Sequence, residues 1–97
     1  MKIRILEAAR KDLLEGYYFY ENQSAGIGTY FLESLYSDIG SLVDHGGVHP
    51  VYFLEYHRLL AAKFPFAVYY KVMEDAVLVF AVLDCRREPA WIRSKLN

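Results

Sequence analysis

The sequence predicts an α+β fold in the order β-α-α-β-β-β, a mainly antiparallel, twisted sheet with a helical hairpin packed on one face. Three observations predict it. The hydrophobic period changes from two residues to between three and four after Leu6. A second helical stripe follows the first across a short polar break. The second half then reads as β-rich runs whose separators are far shorter than the dozen or so residues a parallel crossover needs, so neighbouring runs must pair antiparallel.

Lys2 to Leu6 (KIRIL) alternates charged and apolar residues, the pattern of a short half-buried strand. From Ala8 the period is helical. Ala9, Leu13, Tyr17 and Tyr20 form one stripe of a helix ending near Asn22, and Glu7 and Asp12 near its start complement the helix dipole. The stripe predicts core packing for both tyrosines. Asn22 to Gly26 is a polar break in which Ser24 is a plausible N-cap. In the second helix Ile27, Phe31, Leu35, Ile39 and Leu42 share a face, widened by Leu32, Tyr36 and Val43, and Gly46-Gly47 is expected to stop it. Two helices so joined form an antiparallel hairpin with a shared apolar side.

A loop is expected from His49-Pro50 to about Tyr56, followed by three strands: His57 to Lys63, Phe66 to Met73, and Ala76 to Asp84. In the middle run Phe66, Val68, Tyr70 and Val72 share one face, and Ala67, Tyr69 and Lys71 the other. The third run, AVLVFAVL, is apolar throughout and therefore predicted to be central and covered on both faces. Pro89 and Trp91 lead into a short tail. No repeat, low-complexity tract or linker divides the 97 residues, which are read as one domain.

Composition narrows the class. A hydrophobic share of 55% is enough for a packed core, and 16% aromatic residues, nine of them Tyr, suit a surface covered part of the time. The longest apolar run is far shorter than the roughly 20 residues of a membrane helix, and charged residues follow Leu6 too closely for a secretory signal, so a soluble, cytoplasmic protein with no membrane partner is expected. One cysteine, Cys85, excludes an internal disulfide. The net charge of −1 argues against a general nucleic-acid binder. Its distribution is uneven: residues 1–55 hold four Lys/Arg against eight Asp/Glu, and residues 56–97 hold seven against four. Such a split suggests two halves facing different partners.

Three stretches carry a resemblance. Arg58-Leu59-Leu60 followed by Lys63-Phe64-Pro65-Phe66-Ala67-Val68-Tyr69-Tyr70, the ending VFAVLDCRREPAW from Val79 to Trp91, and Ala9, Asp12 and Leu13 at the first helix resemble the RelE/ParE toxin superfamily, also called plasmid-stabilisation proteins. The resemblance implies the same α+β fold and the toxin component of a type II toxin–antitoxin system. It implies a cognate antitoxin that silences the chain in a hetero-oligomer. It also implies an essential target: a topoisomerase such as DNA gyrase in the ParE-like branch, or ribosome-bound mRNA cleaved without metal in the RelE-like branch. The chain has Asp84 and Cys85 where many members carry His before the arginine pair, and nothing aromatic follows Trp91. These departures point to the ParE-like branch. A family member that only binds its antitoxin is the third reading.

Metal-free RNA cleavage needs a cation at the phosphate and a proton donor and acceptor. The residues available for catalysis are Arg58, Lys71, Arg86 and Arg87; those available for binding are Arg58, Lys63, Tyr70, Asp84, Arg86, Arg87 and Trp91. Arg86 and Arg87 follow the end of the expected central strand, where they either form an anion-binding corner or pair with Asp84 or Glu88. His57 is a possible acid or base but more simply a solvated strand-end residue, and Cys85 reads as a buried free thiol. His45 and His49 flank a glycine pair with no cysteine partner, so no zinc site is expected. No nucleotide-binding or nucleophile-elbow motif is present, and no cofactor is implied.

Overall fold

The computed structural model describes residues 1–97. Strand β1 (Lys2–Ile5) leads into helix α1 (Glu7–Glu21), which turns back as α2 (Ile27–Gly40) and a final short turn, α3 (Leu42–His45). Strands β2 (Val51–Phe53), β3 (Tyr56–Leu60), β4 (Phe66–Met73) and β5 (Ala76–Asp84) follow, and helix α4 (Pro89–Leu96) ends the chain. The sheet order is β1-β5-β4-β3-β2. All pairings are antiparallel except β1 with β5, which is parallel in the register Lys2 to Ala76 through Ile5 to Val79. The α+β expectation holds, with β5 interior to the sheet.

One hydrophobic core lies between the helical hairpin and the sheet. Ala9 and Leu13 of α1, Phe31, Leu35 and Ile39 of α2, and Leu42 meet Val68, Tyr70, Val77, Val79 and Val82. A second, smaller core lies on the opposite face, where Ile92 and Leu96 of α4 pack with Tyr56, Ala67, Tyr69, Ala81 and Leu83. Strand β4 keeps its predicted alternation between the two. In β5 a bulge interrupts it: Tyr69 pairs with Ala81 but Tyr70 with Val79, leaving Phe80 as the extra residue. Val77, Val79 and Val82 therefore face the hairpin while Phe80, Ala81 and Leu83 face away, which is why this strand is apolar throughout.

Several local expectations are corrected. Ser24 is not the cap of α2. Gly26 takes that position at φ 93°, and the carboxylate of Glu21 accepts hydrogen bonds from the backbone N–H of Gly26 and Gly28 (2.9–3.1 Å). A carboxylate from the preceding helix reaches two free N–H groups that a serine hydroxyl would serve singly. The second helix is interrupted between Gly40 and Leu42, and its restarted turn ends at His45 on Gly46-Gly47, the stop expected. Strand β3 ends at Leu60, because Phe64-Pro65 turns the chain early. Residues Val51–Phe53, expected as loop, form edge strand β2, and the expected tail is helix α4, with Pro89 in its first turn. On α1 the buried stripe is Ala9, Leu13 and Gly16; Tyr17 and Tyr20 are only half-buried, Tyr20 resting on Phe31, Phe64 and Phe66.

Candidate functional site

The sheet face turned away from the helical hairpin carries two of the predicted cations. Arg58 on β3 lays its guanidinium 4.4 Å from the ring centre of Tyr52, and Lys71 on β4 holds its ammonium 4.6 Å from Tyr56 and 5.3 Å from Phe80. Strand pairing produces this arrangement. Arg58 sits opposite Tyr69, and the bulge turns Phe80 to the same side as Lys71. Each cation is thus held over an aromatic surface by attraction to the ring face, with its long stem lying on apolar ground. No salt bridge engages either one.

Beneath Arg58 lies Tyr69, fully buried. Its hydroxyl is closed to solvent, with the Arg58 guanidinium beside it and the Tyr52 ring 5.6 Å away. Burial pushes the Tyr69 pKa up, with Arg58 opposing, so the group keeps its proton at neutral pH.

The two arginines after β5 diverge. Arg86 makes a bidentate pair with Asp84, from Nε at 3.0 Å and Nη2 at 2.7 Å, and its backbone N–H also donates to that carboxylate. These bonds hold the Asp84 carboxyl below its usual range. Of the two readings of this corner, the structure gives Arg86 the ion pair with Asp84. Arg87 points elsewhere, its guanidinium stacked 3.9 Å from the Trp91 ring centre with Lys95 on the same ring at 5.3 Å.

Arg87 and Trp91 border a cleft of about 390 Å³ between α1, the end of β5 and α4, whose other lining includes Asp12, Glu15, Gly16, Phe19 and Lys95. Its origin is the mismatch in strand length. Strand β1 covers β5 only as far as Val79, and past that point Asp12 reaches in, accepting the N–H of Val82 at 2.9 Å. Burial raises the Asp12 carboxyl to about 6, with the Val82 hydrogen bond opposing and neighbouring Glu15 adding to the rise.

The remaining predicted residues are not brought to these places. Lys63 lies in the β3–β4 turn, 5.3 Å from the ring centre of Tyr30 on α2. Tyr70, predicted as a binding residue, is fully buried on the hairpin side. Its hydroxyl accepts the Gly47 N–H at 3.1 Å and lies 2.6 Å from His49 Nδ1, so it ties down a loop. His57 is stacked on that same ring at 5.0 Å with Nδ1 2.7 Å from the His49 carbonyl, a structural position. Cys85 is half-buried and free. No group of three or more His, Cys, Asp or Glu is arranged to hold a metal ion, and no helix is long and apolar enough to cross a membrane.

Sequence reasoning gave no role to Tyr52 and Lys95, which carried no motif, nor to Tyr69, although the alternation of β4 had already put it on one face with Lys71. It also missed the large apolar residues on the outside of α1, Leu14 and Tyr18 one turn apart and Phe19 at the cleft. Leu14, Tyr18 and Phe19 are 52%, 59% and 56% exposed, more than a solvent-facing helix side needs. They fall between the core positions, and the sequence signal was simply the excess of large apolar residues in LLEGYYFY.

No protein-family model matches the chain, and no curated protein sequence matches it. Its fold is similar to that of a solved chain titled as the chromosomal ParDE TA system from P. aeruginosa, with a TM-score of 0.75 and 15% sequence identity over 84% of this chain and 92% of that one. At that identity the likeness is one of architecture alone.

Proposed function

We propose that this chain is the toxin of a type II toxin–antitoxin pair, of the ParE-like kind: it arrests growth in the bacterial cytoplasm by binding a topoisomerase such as gyrase, and a cognate antitoxin silences it in a hetero-oligomer. The fold it shares with a chain of a ParDE TA system supports the toxin–antitoxin reading. The observation that carries a binding role is the exposed pair Leu14 and Tyr18, one turn apart on α1, a surface suited to an amphipathic partner segment.

The scattering of the cations favours binding over RNA cleavage. Arg58 and Lys71 rest on aromatic rings of the outer sheet face, Arg86 is committed to Asp84, and Arg87 lies against Trp91. A ribonuclease needs its cations and a proton-transfer group around one phosphate, and the histidine nearest the sheet, His57, is taken up by Tyr70 and a backbone carbonyl on the other side.

The test is induced expression with and without the adjacent small reading frame, following DNA, RNA and protein synthesis in parallel. Replication is expected to stop first with ribosome-bound transcripts intact, and co-expression of the neighbour restores growth. Rapid loss of ribosome-bound transcripts would instead assign the ribonuclease reading, and normal growth on induction would reject toxicity. In the Leu14→Asp/Tyr18→Asp double variant the neighbour is expected to lose its hold on the chain while the chain's thermal midpoint is kept.

A further inference from the structure

We propose that the sheet corner at the β2–β3 turn is the contact surface for a second copy of this chain, with Leu54 of each copy seated in the other's corner cleft. The shape and charge of the corner carry this inference, with no appeal to the toxin–antitoxin reading. The cleft arises from unequal strands. Strand β4 last pairs with β3 at Tyr70, opposite His57, yet continues along β5 to Met73, so Val72 and Met73 run past the start of β3. The opening, about 380 Å³, has a lining that includes Val51, Leu54, Glu55, Lys71, Val72 and Met73. Leu54 stands at the tip of the turn with a left-handed backbone, φ 52°, which is costly for leucine and easy for glycine. Nothing in the free chain offsets that cost. The Leu54 side chain belongs to neither core and is more than half exposed, as are those of Val51 and Met73. Strain kept in order to show a large apolar side chain to water marks a surface that is covered in use.

The two edges of the sheet differ in the same sense. Strand β1, at one edge, carries the exposed charges Lys2 and Arg4, which oppose edge-to-edge association, whereas β2, at the other, is Val-Tyr-Phe with no charge. A second copy fits this corner better than an unlike partner because the corner is complementary to itself. Glu55, beside the Leu54 knob, and Lys71, on the cleft wall, have opposite signs and make no salt bridge in the free chain. Across a two-fold axis every contact is made twice, residue i meeting j and j meeting i. The rotation that seats Leu54 against Val72 and Met73 of the second copy brings Glu55 towards its Lys71, and the reverse. A wholly acidic or wholly basic partner would satisfy one of these charges and oppose the other.

The purified full chain is followed by sedimentation velocity from about 1 to about 200 µM, the range of a modest interface. The mass is expected to rise from 11.3 kDa to twice that value. Leu54→Gly removes the knob and suits the left-handed backbone. It is expected to weaken association at least about tenfold while keeping or raising the thermal midpoint. Glu55→Lys and Lys71→Glu are each expected to stay monomeric alone and to associate when mixed, because the mixture restores opposite charges at both contacts. Thermal midpoints are taken for all three variants, so that a loss of folding is not read as a loss of contact. A chain that is monomeric throughout the range, or a mixture of the two folded charge variants that stays monomeric, would overturn the proposal. Undiminished association of Leu54→Gly would also overturn it, and its loss in Leu14→Asp/Tyr18→Asp would then place the contact on α1. Growth arrest and its relief by the neighbouring gene are read in separate cultures, so a monomeric chain says nothing against the toxin reading, and a harmless chain nothing against the dimer.

Discussion

Asp12 on the first helix and Val82 on the central strand, 70 positions apart, are joined by a single hydrogen bond from backbone N–H to carboxylate, 2.9 Å long. Strand β1 stops pairing at Val79, and without Asp12 the Val82 N–H would face the side of the sheet with no strand beyond it. A side chain here does the work of one more strand residue, and it does so half-buried, so the carboxyl is raised to about 6.

Asp12 therefore links stability to pH. The unfolded chain releases this proton near 3.8 and the folded chain near 6. Between those values the folded state holds the extra proton, so raising the pH through this window removes stability, on the order of 1–2 kcal/mol after allowing for partial exposure. Asp12→Asn keeps an acceptor for Val82 and has nothing to titrate. Its thermal midpoint is expected to stay flat relative to the parent between pH 4 and 7, with the variant the more stable at neutral pH. A parallel fall in both proteins would show that other groups set the slope.

His49 works in the opposite sense. Burial holds it below its ordinary 6.5, with His57 and His45 adding to the effect, so the folded chain binds fewer protons than the unfolded one and stability is lost as the pH falls below 6.5. His49→Gln is expected to remove this acid limb. Tyr70→Phe takes away the acceptor of the Gly47 N–H and the partner of His49 Nδ1, and is expected to cost about 1–3 kcal/mol in urea unfolding and to speed hydrogen exchange at Gly47.

The helical hairpin depends on how closely its two helices approach. A Cβ on Gly28 would sit 2.6 Å from the Tyr17 carbonyl oxygen and 2.8 Å from Glu21 Cβ, where neither backbone nor stem can yield. Gly28→Ala is expected to destabilise by about 2–3 kcal/mol. Gly40, by contrast, has open space around the same position. Gly40→Ala is expected to be neutral or to stabilise by up to ~1 kcal/mol, measured by the same urea midpoints.

Helix α4 is anchored by Ile92 and Leu96, which are 2% and 3% exposed against the smaller core. Ile92→Ala is expected to cost about 2–4 kcal/mol. Because α4 packs on the sheet face away from the hairpin, the loss should be local. Amides of residues 90–96 should exchange first, while those of the hairpin keep their protection.

Much of this architecture was legible in the sequence. The alternation of β4 and the unbroken apolar run of β5 foretold a strand with a core on each side, and the two helical stripes foretold the hairpin. What escaped was short or non-local. Strand β2 has three residues and an irregular register with β3, too few for a period to register, and α4 begins on a proline that reads equally as a break. The parallel pairing of β1 with β5 joins opposite ends of the sequence and leaves no local trace. The site was less legible than the fold. Each cation could be named from its type, but the side each one faces depends on strand register and on the bulge at Phe80, and the pairing of Arg86 with Asp84 was only one of two open readings.

The parallel pairing of Lys2–Ile5 with Ala76–Val79 also sets an order of manufacture. Lys2–Ile5 leaves the ribosome well before Ala76–Val79 and must wait for it before it has a neighbour to bond to, and such distant closures are slow. The hairpin likewise finds the strands that cover its greasy side only when β4 and β5 have emerged. The finished surface thus comes into being only once β5 is out, and a protein that recognises the assembled shape meets the folded sheet and not the nascent hairpin.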